Sequence, residues 1–351
     1  MTEMKQRKAD HIEICLDGEV DPVPTFWDDV TLVHEALPEV DYAEIDCGVE
    51  FLGKRLEMPL IVTAITGGFE GAVEINSNIA EACAKCGIGM GVGSERAAIE
   101  GIETESYEVI KKHKVPLVIG NLGAPQLIAQ ERKKAFTHDD VARAIEIVGA
   151  DYIALHLNFL QEAVQPEGDK NARGCRDAFR DIAREFPVIA KETGAGISAR
   201  TAKALGAIGV RAIDVAGTGG TSFASVELYR AENVGDRLRA ELGKTFEDWG
   251  IPSTVSVIEA SGTVPLIASG GIYNGLDVAR SIALGASCAG AARIFLGAAM
   301  ESADAVVELI NQFKEEFRTA MFLTGCRDVG ELADADLVIT GRTKEWIEGM
   351  R

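Results

Sequence analysis

From Pro59 onward the chain repeats one unit eight times: a short apolar run ending in glycine or a polar residue, then a helical segment. The runs are PLIVTAIT (59–66), IGMGV (88–92), PLVIG (116–120), DYIALHL (151–157), PVIAK (187–191), RAIDVAG (211–217), VPLIASG (264–270) and ASCAGAA (286–292). Each run is apolar at successive positions, as a strand buried on both faces must be, and parallel strands need a crossover helix between them. Eight such units in about 250 residues predict a closed (β/α)8 barrel, a TIM barrel, rather than an open sheet. The expected organisation is an irregular N-terminal arm (1–54) broken by Pro22, Pro24 and Pro38, the barrel (55–320) and a helical C-terminal tail (321–351). A charged helical stretch, 222–254, reads as an insertion in the sixth unit.

Composition narrows the partners. Lys and Arg number 35 against 55 Asp and Glu, a net charge of −20. Such a chain has no general basic field, so nucleic acid and anionic membrane are excluded as main partners. An anionic small ligand then needs a local cation cluster, and Arg7-Lys8-Ala9-Asp10-His11 supplies one, with a solvated tail as its bland alternative. Seven cysteines without disulfide-like spacing, and a start with no apolar signal region, predict a reduced, cytoplasmic protein. Cys83 and Cys86 lie on an amphipathic helix with no second Cys/His pair, so packing is expected of them rather than zinc. Residues 282–300 are apolar enough to suggest a membrane span, but Arg293 in their middle favours a buried strand and its helix.

Active sites of such barrels sit at the C-terminal strand ends. Thr66-Gly67-Gly68, Gly93-Ser94-Glu95-Arg96, Gly120-Asn121, His156-Leu157-Asn158, Lys191-Glu192, Gly217 to Ser222, Ser269-Gly270-Gly271 and Gly290 are what the eight runs deliver there. The glycines after the seventh and eighth runs suit a phosphate cradle, since glycine lets the backbone approach an anion and a helix N-terminus follows. Lys191 suits either a Schiff base or a cation facing an anionic ring. Asn121 suits a hydrogen bond to a planar heterocycle or a turn cap. The densest cluster is HLNFLQE, where His156 and Asn158 share a face if the strand continues and Gln161 and Glu162 follow in the loop. That set can bind an anion and a hard metal ion and orient a proton transfer.

Taken in order, RKADH (7–11), WDDVTLVHEALPE (27–39), TGG (66–68), GVGSER (91–96), GNLGAPQ (120–126), LHLNFLQE (155–162), PEGD (166–169), KETGAGIS (191–198), DVAGTGGTS (214–222) and ASGGIYNGLDVA (269–279) resemble the type 2 isopentenyl-diphosphate isomerases, FMN-dependent barrel enzymes. RKADH together with HLNxxQE is the specific part; the barrel motifs would fit other FMN barrels. The resemblance implies isomerisation of isopentenyl diphosphate to dimethylallyl diphosphate, with reduced FMN, Mg²⁺, and NADPH or NADH as reductant. It implies flavin contacts from Thr63, Ala64, Ile65, Thr66, Ser94, Asn121, Lys191 and Thr221, and phosphate contacts from Gly271, Ile272, Tyr273, Ala289 and Gly290. It implies substrate contacts from Arg7, Lys8, His11, Ser94, Arg96, His156, Asn158 and Gln161. It further implies catalytic roles for Gln161 and His156, with Gln161 at the reacting end, and Glu162 as the Mg²⁺ ligand. A homo-oligomer acting on a small prenyl diphosphate is the expected assembly.

Two positions depart from the family pattern. Glu95 replaces a Gln, which places an acid beside Arg96, and Tyr273 stands where an Arg is common, which weakens the expected phosphate site. An FMN-dependent oxidoreductase on the same barrel is the alternative. It would need a substrate-oxidising base or a loop cysteine, and Cys288 belongs inside the eighth strand.

Overall fold

A computed structural model describes residues 3–131 and 133–350. Eight parallel strands close into a barrel: β1 (Leu60–Val62), β2 (Gly89–Gly91), β3 (Val118–Gly123), β4 (Tyr152–Leu157), β5 (Val188–Glu192), β6 (Ala212–Asp214), β7 (Leu266–Ser269) and β8 (Cys288–Ala291). They pair in sequence order, and β8 closes on β1 with Ala289 opposite Leu60 and Gly290 opposite Ile61. Every strand lies within or against the run that predicted it.

Side-chain parity decides what the barrel does. Ile61, Ile119, Ala154, Ile189, Ala212, Ile267 and Cys288 point inward and form one apolar layer. Their neighbours Leu60, Val62, Leu155, Val188, Ala190, Ile213, Leu266 and Ala289 face the helices and join the outer core. Because strand side chains alternate, the next inward positions, two residues on, are Thr63, Asn121, His156, Lys191, Asp214 and Ser269. An apolar plug thus carries a polar layer on top. A hairpin of Val49–Phe51 and Lys54–Leu56 closes the other end, with Phe51 and Leu56 packed on the plug. Its two turn residues, Leu52 (φ 51°) and Gly53 (φ 74°), are both left-handed, as a two-residue hairpin turn requires.

The arm is more regular than its prolines suggest. Glu3–Asp17 form a helix, uninterrupted by Gly or Pro, that stops at Gly18, whose N–H bonds the Ile14 carbonyl at 2.8 Å. Val30–Leu32 of the arm pairs antiparallel with Leu337–Ile339 of the tail, so arm and tail are joined to each other across the barrel's flank. The charged stretch after β6 contains helices Phe223–Asn233 and Arg237–Thr245 ahead of the barrel helix Ser253–Ala260, as an insertion should. The apolar stretch 282–300 folds as β8 and helix Arg293–Glu301. Among the described residues no helix is long and apolar enough to cross a membrane.

Candidate active site

A large cleft covers the C-terminal strand ends, with about 1520 Å³ of empty space including its open mouth. Every expected site residue lines it except Ala289. Parity explains the exception: Gly290 faces inward, whereas Ala289 is fully buried against the outer helices.

At the floor, Asp214 accepts a hydrogen bond from Lys191 Nζ at 2.6 Å and another from Ser269 Oγ, with Thr63 Oγ1 at 3.4 Å. Both members of the Lys191–Asp214 ion pair are buried. Beside it, Asn121 donates its side-chain amide to the Val92 carbonyl at 2.9 Å, which turns its Oδ1 toward His156 Nδ1 at 2.8 Å. Nδ1 therefore carries the proton and Nε2 keeps its lone pair. Burial, then the charges of Lys8 and Lys191, push His156 down to about 3, so the ring is neutral.

The strand ends at Leu157, so Asn158 does not share its face as a continued strand would allow. Phe159–Val164 form a short helix instead of a loop, with Asn158 as its N-cap. That turn gathers the polar cluster: Asn158 Nδ2 donates to both Gln161 Oε1 and Glu162 Oε1 at 3.1 Å. Glu162 also accepts from Gln165 and from the Asp169 N–H at 2.6 Å, and burial raises its pKa despite these donors. The other end of Gln161 is fixed by Glu227 Oε1 at 2.9 Å. Burial alone would raise the Glu227 pKa. Hydrogen bonds from His11 and Gln161 and the Arg230 charge hold it at about 2, so it is an anion at any working pH.

The N-terminal helix supplies the cations. Arg7, Lys8, His11, Ile12 and Cys15 fall on one helical face and all line the cleft. With Arg96 they crowd positive charge into a buried corner: burial, then Arg7 and Arg96, pull Lys8 down to about 7. Arg7 Nε is buried there with no partner. Arg7 is paired with Glu167 at 3.7 Å, and Arg96 with Glu100 and Asp169 at 2.8 and 3.0 Å.

At the opposite end, Gly270 (φ 93°) and Gly271 (φ 78°) make a turn that a side chain would block, since a Cβ on Gly271 would lie 2.3 Å from the Gly219 carbonyl oxygen. The arm secures this turn: Thr25 Oγ1 bonds the Gly271 carbonyl at 2.9 Å and Trp27 Nε1 the Gly270 carbonyl at 3.0 Å. Helix Arg293–Glu301 begins at the same end of the cleft.

A profile of the FMN-dependent dehydrogenases matches residues 180–339. Curated relatives named isopentenyl-diphosphate delta-isomerase match nearly end to end. The one from Thermoplasma acidophilum is 47% identical over 98% of this chain and 99% of its own. Those from Archaeoglobus fulgidus and Methanosarcina barkeri are 48% and 45% identical, covering 98% and 97% of this chain and 98% and 94% of theirs. The chain belongs to the isopentenyl-diphosphate delta-isomerase family. Solved structures of mandelate oxidase share the barrel. One with benzoyl-formic acid has a TM-score of 0.64 at 19% identity, covering 96% of this chain and 97% of its own. At that identity the likeness concerns the fold.

Both departures from the isomerase pattern change meaning in three dimensions. Glu95 is not beside Arg96. Its fully buried side chain turns under the strands, where Oε1 accepts the Asn121 N–H at 2.7 Å and Oε2 has no partner. Burial raises its pKa well above the carboxylate range, so it is a neutral acid, which a low-dielectric site favours over a bare charge. Tyr273 does not leave its end of the cleft without a cation. Its hydroxyl donates to Asp21 at 2.9 Å, Arg293 pairs with the same carboxylate, and Arg293 lines the cleft beside it. Motif reading gave no site role to Arg293, Asp214, Glu227, Thr25 or Trp27, although Trp27 and Asp214 open two of the quoted motifs. Parity along β6 points to Asp214; no sequence signal marks Glu227, whose partners His11 and Gln161 come from other elements.

Proposed function

We propose that this isomerase-family chain converts isopentenyl diphosphate to dimethylallyl diphosphate by a 1,3-proton shift, with reduced FMN and Mg²⁺, in the cytoplasm and as a homo-oligomer. The observation that carries the reading is charge segregation in one cleft: Arg7, Lys8 and Arg96 at one end, a glycine cradle with Arg293 at the other. A diphosphate suits the first, through charge-assisted hydrogen bonds, and a flavin phosphate the second.

The residues present fit both groups. The turn of Gly270 and Gly271 tolerates no Cβ, and the inward layer of Thr63, Asn121 and Lys191 offers polar contacts to a planar ring lying over it. Glu162 is joined by the partnerless buried oxygens Asn158 Oδ1 and Gln165 Oε1, an oxygen-only set that suits a hard cation. Among the described residues no three His, Cys, Asp or Glu side chains converge as a complete metal site. That agrees with an ion completed by substrate oxygens, as Mg²⁺ commonly is.

Reduced flavin, once bound and kept reduced by NADPH or NADH, supplies the acid and base for the unactivated alkene. The chain's own groups do the rest. Arg7, Lys8 and Arg96 bind the diphosphate. His156 is neutral before the anion arrives, and an anion at Nε2 favours its protonated, donating form. Gln161, pinned at both ends by Asn158 and Glu227, orients the reacting carbons. Ile12, Ile65 and Phe223 supply apolar wall for the prenyl tail.

The test is turnover in D₂O by protein reduced once under anaerobic conditions. Many equivalents of deuterated product per flavin are expected. Stoichiometric flavin oxidation, or product without deuterium, would overturn this reading.

A further inference from the structure

PEGD (166–169) supplies none of the expected site residues, and Asp169 does not line the cleft, yet Asp169 contacts three residues that do. Asp169 is buried, and its Oδ2 accepts from Arg96 Nη1 at 3.0 Å and from Gln126 Nε2 at 3.2 Å. Its own N–H donates to Glu162 Oε2 at 2.6 Å. Arg96, Gln126 and Glu162 follow β2, β3 and β4 respectively, so one residue ties together three adjacent strand ends. Arg96 is otherwise held by Glu100, to which its Nε donates at 2.8 Å, outside the cleft's lining.

We infer that the 166–169 loop is a two-armed positioning device: the Asp169 side chain aims Arg96 at the diphosphate, and the loop backbone aims Glu162 at the metal ion. The inference rests on the diphosphate reading above. Two observations make the arms separable. The Glu162 contact comes from a backbone N–H, so changing the Asp169 side chain leaves that donor in place. The backbone course in turn depends on Gly168, where a Cβ would lie 1.8 Å from the Glu162 carbonyl oxygen. Any larger residue must push the loop off the helix that carries Glu162.

Charge accounts for an acid being tolerated so near an anion site. Lys133 Nζ lies 3.0 Å from Asp169 Oδ1, so the carboxylate has a cation on each side. With Lys133 facing it, Asp169 can hold Arg96 without cancelling the guanidinium's attraction for the substrate. Asp169 is a positioning residue and not a catalytic one.

The test uses FMN-loaded protein and inorganic pyrophosphate as the probe, titrated calorimetrically without metal, beside the Mg²⁺ concentration for half-maximal isomerase activity. D169N should weaken metal-free pyrophosphate binding by about tenfold, the loss of one charge-assisted hydrogen bond's worth of alignment. Its substrate KM should rise with kcat little changed, and its Mg²⁺ requirement should stay put. G168A should do the reverse, raising the Mg²⁺ requirement by about tenfold with metal-free pyrophosphate binding kept within about twofold. Both readouts moving together in both variants, or neither moving, would overturn the inference. Should either variant fail to load flavin, Lys133→Met carries the test. It should weaken pyrophosphate by about two- to threefold at low salt, less at high salt, and an unchanged affinity would refute the charge argument. Wild-type protein that neither binds pyrophosphate nor turns over isopentenyl diphosphate would instead remove the diphosphate reading itself.

Discussion

Asp214→Asn removes the only carboxylate among the hydrogen-bond partners described for Lys191 and leaves an ammonium in the barrel with no counter-charge. Breaking a buried pair from one side costs about 3–5 kcal/mol. D214N should therefore lose about 3–5 kcal/mol at pH 7. Urea unfolding of flavin-free protein measures this, from midpoint shifts at constant slope. The double variant K191M/D214L should cost less than D214N alone, because an apolar pair carries no desolvation penalty. A D214N cost under about 1 kcal/mol at pH 7, or a double variant equal to the sum of the singles, would refute the ion-pair account.

Glu95→Gln should leave stability within about 1 kcal/mol of wild type, because the neutral acid and the amide present the same acceptor to Asn121; a larger loss in urea unfolding would mean Glu95 is charged. Arg293→Ala should weaken FMN at least about tenfold in equilibrium dialysis, while riboflavin, which lacks the phosphate, should bind almost as before; equal losses for both would count against a phosphate contact. Lys8 sits at about 7 before anything binds, and an anion beside it favours the protonated form. Above pH 7 pyrophosphate binding should therefore take up more protons than below pH 6, by the one that Lys8 gains, and should weaken as pH rises. Calorimetry at pH 8.5 in buffers of different ionisation heat reads the proton, and zero uptake in wild type, or full uptake in Lys8→Met, would contradict the assignment.

Much of this protein was settled by sequence pattern. A buried parallel strand must be apolar on both faces and must be followed by a helix, so eight runs such as DYIALHL with their crossovers left little choice but the barrel. Alternation along each run also determined which side chains enter the cleft, because a strand's parity is a local property: Lys191 follows Ile189 inward, and Gly290 follows Cys288, while Ala289 had to face out. The helix of residues 3–17 went unread, because Pro22, Pro24 and Pro38 led to an irregular arm although no breaker stands before Gly18. What tertiary structure decided is everything that joins distant segments. Glu95 adjoins Arg96 in the chain, but the packing of β2 against β3 carries its carboxyl under Asn121 and makes it neutral. Arg293 supplies the charge absent at position 273 because β7 and β8 are neighbours and Asp21 of the arm reaches across both of their loops. Glu227 restrains Gln161 from 66 positions away, and Asp169 restrains Arg96 from 73. A pKa, a salt bridge or an anion site depends on distances of a few ångströms, and residues so far apart in the chain acquire those distances only when the barrel closes.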